Sequence, residues 1–193
     1  LSPSQGLGAA TQTVTRNNAF DVANISEWQL DARNRLAQML GYTKSEAVPE
    51  TIAQRGPTTV ESDRHDLERM TYYLRVRPDT DVPVTTVVRK DLGGPLPVLI
   101  LLAGSTSGVH LGWGEAKVPI DHHRLSIGAD MARQAAHRGY LAICVEQIGY
   151  GERGERDLPK KSPDRTIDVA VHAVLLGQSL QGLKTMAVSA AID

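Results

Sequence analysis

The sequence is short of several things, and each shortage closes off a class of explanation. It contains one cysteine, Cys144, in 193 residues, so it has no internal disulfide framework and no zinc site built from thiolates. Cys144 lies in an apolar run and reads as inert core. The chain also has almost no net charge: 21 basic and 22 acidic residues give a formal value of -1 and an isoelectric point of about 6.7. Nothing therefore draws it to nucleic acid or to an anionic membrane surface, and a small molecule is the expected partner. No apolar run approaches the roughly 18 residues that a membrane span needs, and the N-terminus lacks the basic-then-apolar order of a secretion signal. The chain is expected to be soluble as it stands, with its location undetermined and the cytoplasm slightly favoured. It has no internal repeat and no low-complexity segment.

Residues 1–18 are polar, without apolar periodicity, and read as an arm. A helix is predicted from Ser26, which can cap the first turn while Gln29 returns the bond, with Ile25 and Leu30 placed as a staple. Trp28, Ala32, Leu36, Met39 and Leu40 form its apolar stripe. Residues 43–66 carry Pro49, Pro57 and several charges without a period and read as a connecting loop. Met70, Tyr72, Leu74 and Val76 then alternate with Thr71, Tyr73, Arg75 and Arg77, as a half-covered strand requires. After the turn Pro78-Asp79-Thr80-Asp81, residues 82–89 form a second strand antiparallel to the first, and Pro83 places the start of that strand at an edge or ahead of the ladder.

The run Pro97-Val98-Leu99-Ile100-Leu101-Leu102 is apolar throughout, which suits a strand inside a sheet and covered on both faces. Residues 126–138 read as one helix with Ile127, Met131 and Ala135 in phase, and 140–145 as a second buried strand. Strand, helix, strand implies a parallel pair. Ser162-Pro163 reads as a helix start, with Val169, Ala173, Leu176, Leu180 and Leu183 forming one long stripe that includes His172 as a core histidine. The expected fold is α/β: an antiparallel strand pair leading into a parallel sheet flanked by helices. Residues 1–66 hold the arm, amphipathic helix and loop, and 67–193 the sheet.

In such a sheet, ligands bind beyond the carboxyl ends of the strands. The loop after Leu102 reads Ala103-Gly104-Ser105-Thr106-Ser107-Gly108-Val109-His110, and its glycines and small hydroxyl residues let backbone N–H groups face a ligand. The loop after Val145 runs from Glu146 and Gln147 through Gly149-Tyr150-Gly151-Glu152-Arg153, where ion pairs of Glu146, Glu152 and Arg153 are expected to hold its shape.

The order of these segments, with Leu175-Leu176-Gly177-Gln178-Ser179-Leu180 and Val188-Ser189-Ala190-Ala191-Ile192-Asp193 closing it, resembles the first half of the α/β-hydrolase core, in its dienelactone-hydrolase and acetyl-xylan-esterase-like branch. The resemblance implies a serine-dependent carboxylic ester hydrolase acting by acyl transfer on a small-molecule ester, without a cofactor. It places one oxyanion-hole N–H at Ser105 or Thr106, and makes Gly104, Ser107, Gly108, His110, Glu146 and Gln147 the substrate-pocket loops. The chain departs from the family at Ala103 and Ser105, where members often carry a polar residue and a histidine around the glycine. No G-x-S-x-G elbow is present. Gly104-Ser105-Thr106-Ser107-Gly108 has threonine at the central position, and Gly177-Gln178-Ser179-Leu180-Gln181-Gly182 is one residue too long. By the resemblance, the elbow serine, the acid and the histidine all follow Asp193. The chain would then be the N-terminal part of a longer enzyme, inactive alone, and the missing C-terminal half of the same protein would be its partner.

Two other functions are compatible with the residues. One is a noncatalytic binding module on a hydrolase scaffold. The other is a metal-dependent phosphoesterase using Asp121, His122 and His123, with His110 and Glu115 nearby, since imidazole and carboxylate suit zinc, manganese or iron. A nucleotide site is disfavoured because neither G-x-G-x-x-G nor G-x-x-x-x-G-K-[ST] follows a strand.

Overall fold

Alternating apolar and polar residues give strands with two usable faces, and the sheet at the centre of this protein uses both. The computed structural model describes residues 22–42, 48–104, 106–154 and 166–193. By its internal contacts the chain divides into Leu1–Met39 and Leu40–Asp193. Residues 22–39 of the first unit are described and carry all but the last residue of helix α1 (Ile25–Leu40), which buries none of its residues. It begins after Asn24, whose carbonyl accepts the Trp28 N–H at 3.0 Å, and not after Ser26. Asn is as good a cap as Ser.

In the second unit, β1 (Glu50–Val60), β2 (Leu67–Arg77), β3 (Thr80–Arg89), β4 (Val98–Leu102) and β5 (Leu141–Val145) form one sheet in the order β1-β2-β3-β5-β4. The expected connecting loop is corrected here, because residues 50–60 are a strand antiparallel to β2. Its ladder shifts register between Thr51 and Ala53 and between Arg55 and Thr58, so it has no clean period of two. Nearly all of it is exposed, and prolines and charges belong on such an edge.

β2 pairs antiparallel with β3, and β3 with β5, while β4 and β5 run parallel from Val98 opposite Leu141 to Leu102 opposite Val145. Pro83 sits inside β3 opposite Tyr73 and does not open the strand. Its carbonyl accepts the Glu146 N–H at 3.0 Å, one residue past the end of β5, and the Glu146 carbonyl, which lacks a return N–H from Pro83, accepts from Arg153 at 3.2 Å instead. The expectation that 98–102 lies inside the sheet also fails. Among the described residues β4 is, with β1, one of the two edge strands, and Val98, Leu99 and Leu102 are exposed. A continuous apolar run marks a strand fit for burial but does not say how many neighbours it has.

One face of the sheet packs Leu67, Val87, Ala142 and Cys144 against Ala132, Ala135 and Ala136 of α3 (Met131–His137) and against Val109 and Trp113 of a short 3-10 turn. The opposite face packs Val82, Val84 and Val145 on Ala187 of α5 (Leu180–Ile192). β2 is thus covered on both faces, with Thr71 buried and its hydroxyl 2.8 Å from that of Thr85.

The helix expected over 126–138 starts only at Met131, and a separate helix not expected from the sequence precedes it. Helix α2 (Pro119–Ser126) ends, Gly128 takes a φ of 87° that a side chain rarely allows, and α3 begins after Asp130. The long stripe near the C-terminus is two helices, α4 (Ile167–Leu175) and α5, because Ser179 caps α5 by accepting the Gly182 N–H at 2.9 Å. His172 is exposed, contrary to its expected place in the core, and Val171, Val174, Leu175 and Leu176 are exposed beside it. Ser162-Pro163 lies outside the described residues.

Leu67 has no exposure at all, whereas Val98 keeps 51% of its own. Leu67→Ala is expected to cost about 2–5 kcal/mol in urea unfolding and Val98→Ala less than about 1 kcal/mol. Equal losses would contradict the burial described for β2 and β4.

Candidate active-site scaffold

Because β4 and β5 are parallel neighbours, the loops that follow them leave the sheet at the same end, where they lock together. The Gly151 N–H donates to the Ser107 carbonyl at 3.1 Å, and the Val109 N–H faces both oxygens of Glu146, at 3.3 and 3.4 Å. Gly151 has a φ of 49°, and a β-carbon there would run into the Glu146 carboxylate. Only glycine closes the second loop over this acid. Glu146 is 3% exposed, and burial pushes its carboxyl up to about 7 despite the N–H groups of Val109 and Glu152. The expected ion pairs take a different form. Arg153 donates to the Glu146 carbonyl at 3.2 Å, while Glu152 accepts from Arg55 at 2.7 Å and from the Tyr73 hydroxyl at 2.8 Å.

The first loop is held from the other side by Asp121, which is fully buried. Its carboxylate accepts from the Ser107 hydroxyl at 2.5 Å, from His110 Nε2 at 3.1 Å, and from the backbone N–H groups of Lys117 and Val118 at 3.0 and 3.1 Å. Burial pushes the Asp121 carboxyl up, but these bonds outweigh it and hold the group well below the usual carboxylate range. Asp121 also stands in the first turn of α2, where an acid bonding back to the residue before the helix stabilises its start. This hub was missed in the sequence. Pro119 followed two residues later by an acid was the available signal.

Ser107, His110 and Asp121 have the composition of a catalytic triad but not its geometry. Ser107 Oγ and Asp121 Oδ2 both lie 3.1 Å from the same ring nitrogen of His110, Nε2, and the serine donates directly to the acid. A relay needs the acid on one ring nitrogen and the nucleophile on the other. The group is a clamp, with the network assigning the proton to Nε2. The expected metal site is not assembled either. Asp121 is turned into the clamp while His122 and His123 are exposed, and among the described residues no three His, Cys, Asp or Glu side chains are placed to share an ion.

Of the expected oxyanion donors, Ser105 lies outside the described residues. The Thr106 N–H bonds the Gly104 carbonyl at 2.7 Å, and Gly104 and Thr106 border a small apolar cavity of about 80 Å³ with Leu101, Val109 and Cys144. Gln147 is buried, its amide donating to the Val145 carbonyl at 3.3 Å. Ser179 is a cap whose hydroxyl also donates to the Leu40 carbonyl at 2.7 Å. Burial pushes the Cys144 thiol up to about 12, consistent with inert core.

Residues 7–182 match the Abhydrolase family. The chain belongs to that family. Its α/β-hydrolase fold is shared with a Bacteroides fragilis protein provisionally named an acetyl xylan esterase, at a TM-score of 0.66 and 17% identity, over 100% of this chain and 50% of that one. Brefeldin A esterase, described as a bacterial homologue of human hormone-sensitive lipase, aligns over 91% of this chain and 43% of its own at 11% identity and a TM-score of 0.32. The chain therefore spans half the length of the Bacteroides fragilis protein whose fold it shares. No curated protein matches it.

Asp121→Ala leaves Ser107, His110 and two backbone N–H groups without their acceptor, and is expected to cost about 3 kcal/mol or more in urea unfolding at pH 7. The folded-state pKa of this acid is depressed, so its contribution is present above roughly pH 4 and lost as pH falls. The deficit of the variant should therefore shrink at pH 3. Glu146 has the opposite sign. Its pKa is raised to about 7, so its contribution is present below roughly pH 4.5 and lost as pH rises through neutrality. Glu146→Gln should melt above the parent at pH 8 and lose that advantage at pH 5. A constant offset would show that Glu146 ionises in the folded state without penalty.

Proposed function

We propose that this chain is the oxyanion-side scaffold of a serine-dependent carboxylic ester hydrolase of the dienelactone-hydrolase and acetyl-xylan-esterase-like branch, and that the nucleophile elbow, acid and histidine are supplied by sequence following Asp193. The observation that carries this reading is the locked pair of loops at the carboxyl ends of the parallel strands β4 and β5, in a chain matched over residues 7–182 by the Abhydrolase family. In an α/β sheet this is where a ligand is met.

In the proposed reaction a serine oxygen attacks an ester carbonyl, a histidine oriented by an acid takes the serine proton and passes it to the leaving alkoxide, and the acyl-enzyme is then hydrolysed. The part of this chain is to hold the developing oxyanion with backbone N–H groups of the loop after β4. The Thr106 N–H is turned onto Gly104 at 2.7 Å, so it has to leave that bond to serve. Asp121, Ser107 and His110 hold the following residues still while it does so. Ser107 is not the nucleophile in this scheme, since its hydroxyl is buried and committed to Asp121.

A fluorophosphonate probe is expected to label the full-length protein on a serine after residue 193, and labelling should survive Ser107→Ala and Ser179→Ala. Residues 1–193 alone should turn over no p-nitrophenyl ester. Loss of labelling with either alanine variant would place the chemistry inside this chain and overturn the proposal. A full-length protein that takes up no probe would favour a noncatalytic binding module instead.

A further inference from the structure

His137 closes α3 just ahead of β5, so it stands at the amino ends of the parallel strands, opposite the two locked loops. The turn of residues 61–66, which joins β1 to β2, lies against it. Three contacts hold the turn there. The Ser62 hydroxyl is 3.1 Å from His137 Nε2, the His65 ring lies 5.6 Å from the His137 ring, and Arg133, one turn earlier in α3, donates to the Glu61 carbonyl at 3.5 Å. The Ser62 oxygen also accepts the Arg64 N–H at 3.3 Å. The proposed ester hydrolysis uses none of these groups.

The second ring nitrogen of His137 decides its protonation. Among the described residues, Nδ1 is the one buried side-chain nitrogen or oxygen without a hydrogen-bond partner. A buried N–H without an acceptor is rarer than an acceptor without a donor, so the network assigns the proton to Nε2, which donates to Ser62, and leaves Nδ1 a bare lone pair. A second proton would create a buried donor with nothing to receive it. It would also put a positive charge among others of the same sign. From the turn, His65 and Arg64 face the ring with Asp63 as the opposing acid, and on α3 itself Arg133 does so, although it is paired with Asp130 at 2.7 Å. At the end of β3, Arg89 and Asp91 close on each other at 2.9 Å and Lys90 reaches the Thr59 hydroxyl at 3.4 Å. β4 and β5 bring no charged side chain, and His110 of the 3-10 turn is held by Asp121. Burial first, and then His65, Arg64 and Arg133, keep the His137 ring below the ordinary histidine range against the pull of Asp63.

We propose that His137 is a proton-operated latch, which holds the turn between β1 and β2 on α3 while the ring is neutral and releases it in mildly acidic solution. An undocked ring is hydrated and takes its second proton without these penalties, so acid favours the open turn. The latch is therefore fully closed above the ordinary histidine value of about 6.5 and weakens as pH falls below it. Release frees Ser62 and His65 but leaves the sheet in place, because β1, β2 and β3 are joined by their own ladders. The proposal is independent of the hydrolase reading, since it concerns the other end of the sheet and is read out without turnover.

The test is limited proteolysis of the full-length protein at pH 7.5 and pH 5.5 with a protease active at both. The rate of cutting within residues 61–66 is divided by the rate on a free peptide of residues 58–69 at the same pH. The expected result is a relative rate severalfold higher at pH 5.5, with no rise in cutting within residues 82–89 of β3. His137→Gln is expected to make the relative rate independent of pH. His65→Gln, which leaves the bond to Ser62 intact and removes one repelling charge, is expected to lessen the rise at pH 5.5, an effect that general destabilisation does not produce. Equal relative rates for the parent at the two pH values, cutting in β3 that rises in step, a His137→Gln protein that still responds to acid, or a His65→Gln protein with a rise as large as the parent's would each overturn the proposal.

Discussion

A carboxylate taken fully out of water loses a hydration free energy of several kcal/mol unless hydrogen bonds replace it, and Asp121 recovers its share from four donors on two segments. Ser107 and His110 belong to the loop after β4, while Lys117 and Val118 lead into α2. The 3-10 turn between them puts Val109 and Trp113 into the core beside α3. Without the buried acid, the loop after β4 would keep its apolar contacts and its bonds to the loop after β5 but lose the anchor of its Ser107 and His110 side chains. The acid converts a glycine-rich exit from a strand into a segment of defined geometry.

Glu146 does the corresponding work for the loop after β5, by different physics. Its carboxyl is pushed up to about 7 by burial, so near neutrality it exists in both protonation states. The Val109 N–H faces both of its oxygens and Gly151 leaves it the space it occupies. Two buried acids thus secure adjacent loops. One is strongly bonded and ionised throughout the physiological range, and the other is weakly bonded and near its midpoint. Asp121 has four hydrogen-bond donors to offset its loss of water, whereas at Glu146 the desolvation outweighs the N–H groups that face it.

The parallel strand pair, the antiparallel pair and the two loops were legible in the sequence, because period-two alternation and continuous apolar runs are local signals. Three features were not. β1 was hidden because its bulges break the period and its exposure removes the apolar residues that mark a strand. The edge position of β4 was hidden because Val98 to Leu102 would read the same way with one neighbour or with two. Asp121 was read as a possible metal ligand because an aspartate beside two histidines looks like a donor set. A helix start turns Asp121 inward and leaves His122 and His123 outside, and this depends on where α2 begins. Gln147 and His110 are buried in these loops, and sequence alone did not show what they bond.

Both serines that stand near paired glycines illustrate why a motif needs its context. Ser179 caps α5 and reaches the Leu40 carbonyl, so its hydroxyl is already both acceptor and donor. Ser107 donates to a carboxylate that cannot pass its proton along, because His110 meets the acid and the serine on one nitrogen. A nucleophilic serine needs the reverse of both conditions: an oxygen facing the substrate and a base whose other nitrogen is held by the acid. Of the two glycines around Ser107, Gly108 is closely packed, since a β-carbon there would meet His110 and Gly151, whereas Gly104 faces open space. Glycine spacing alone therefore does not tell a catalytic serine from a structural one. What separates the two is whether the hydroxyl is spent on the fold, and both of these are.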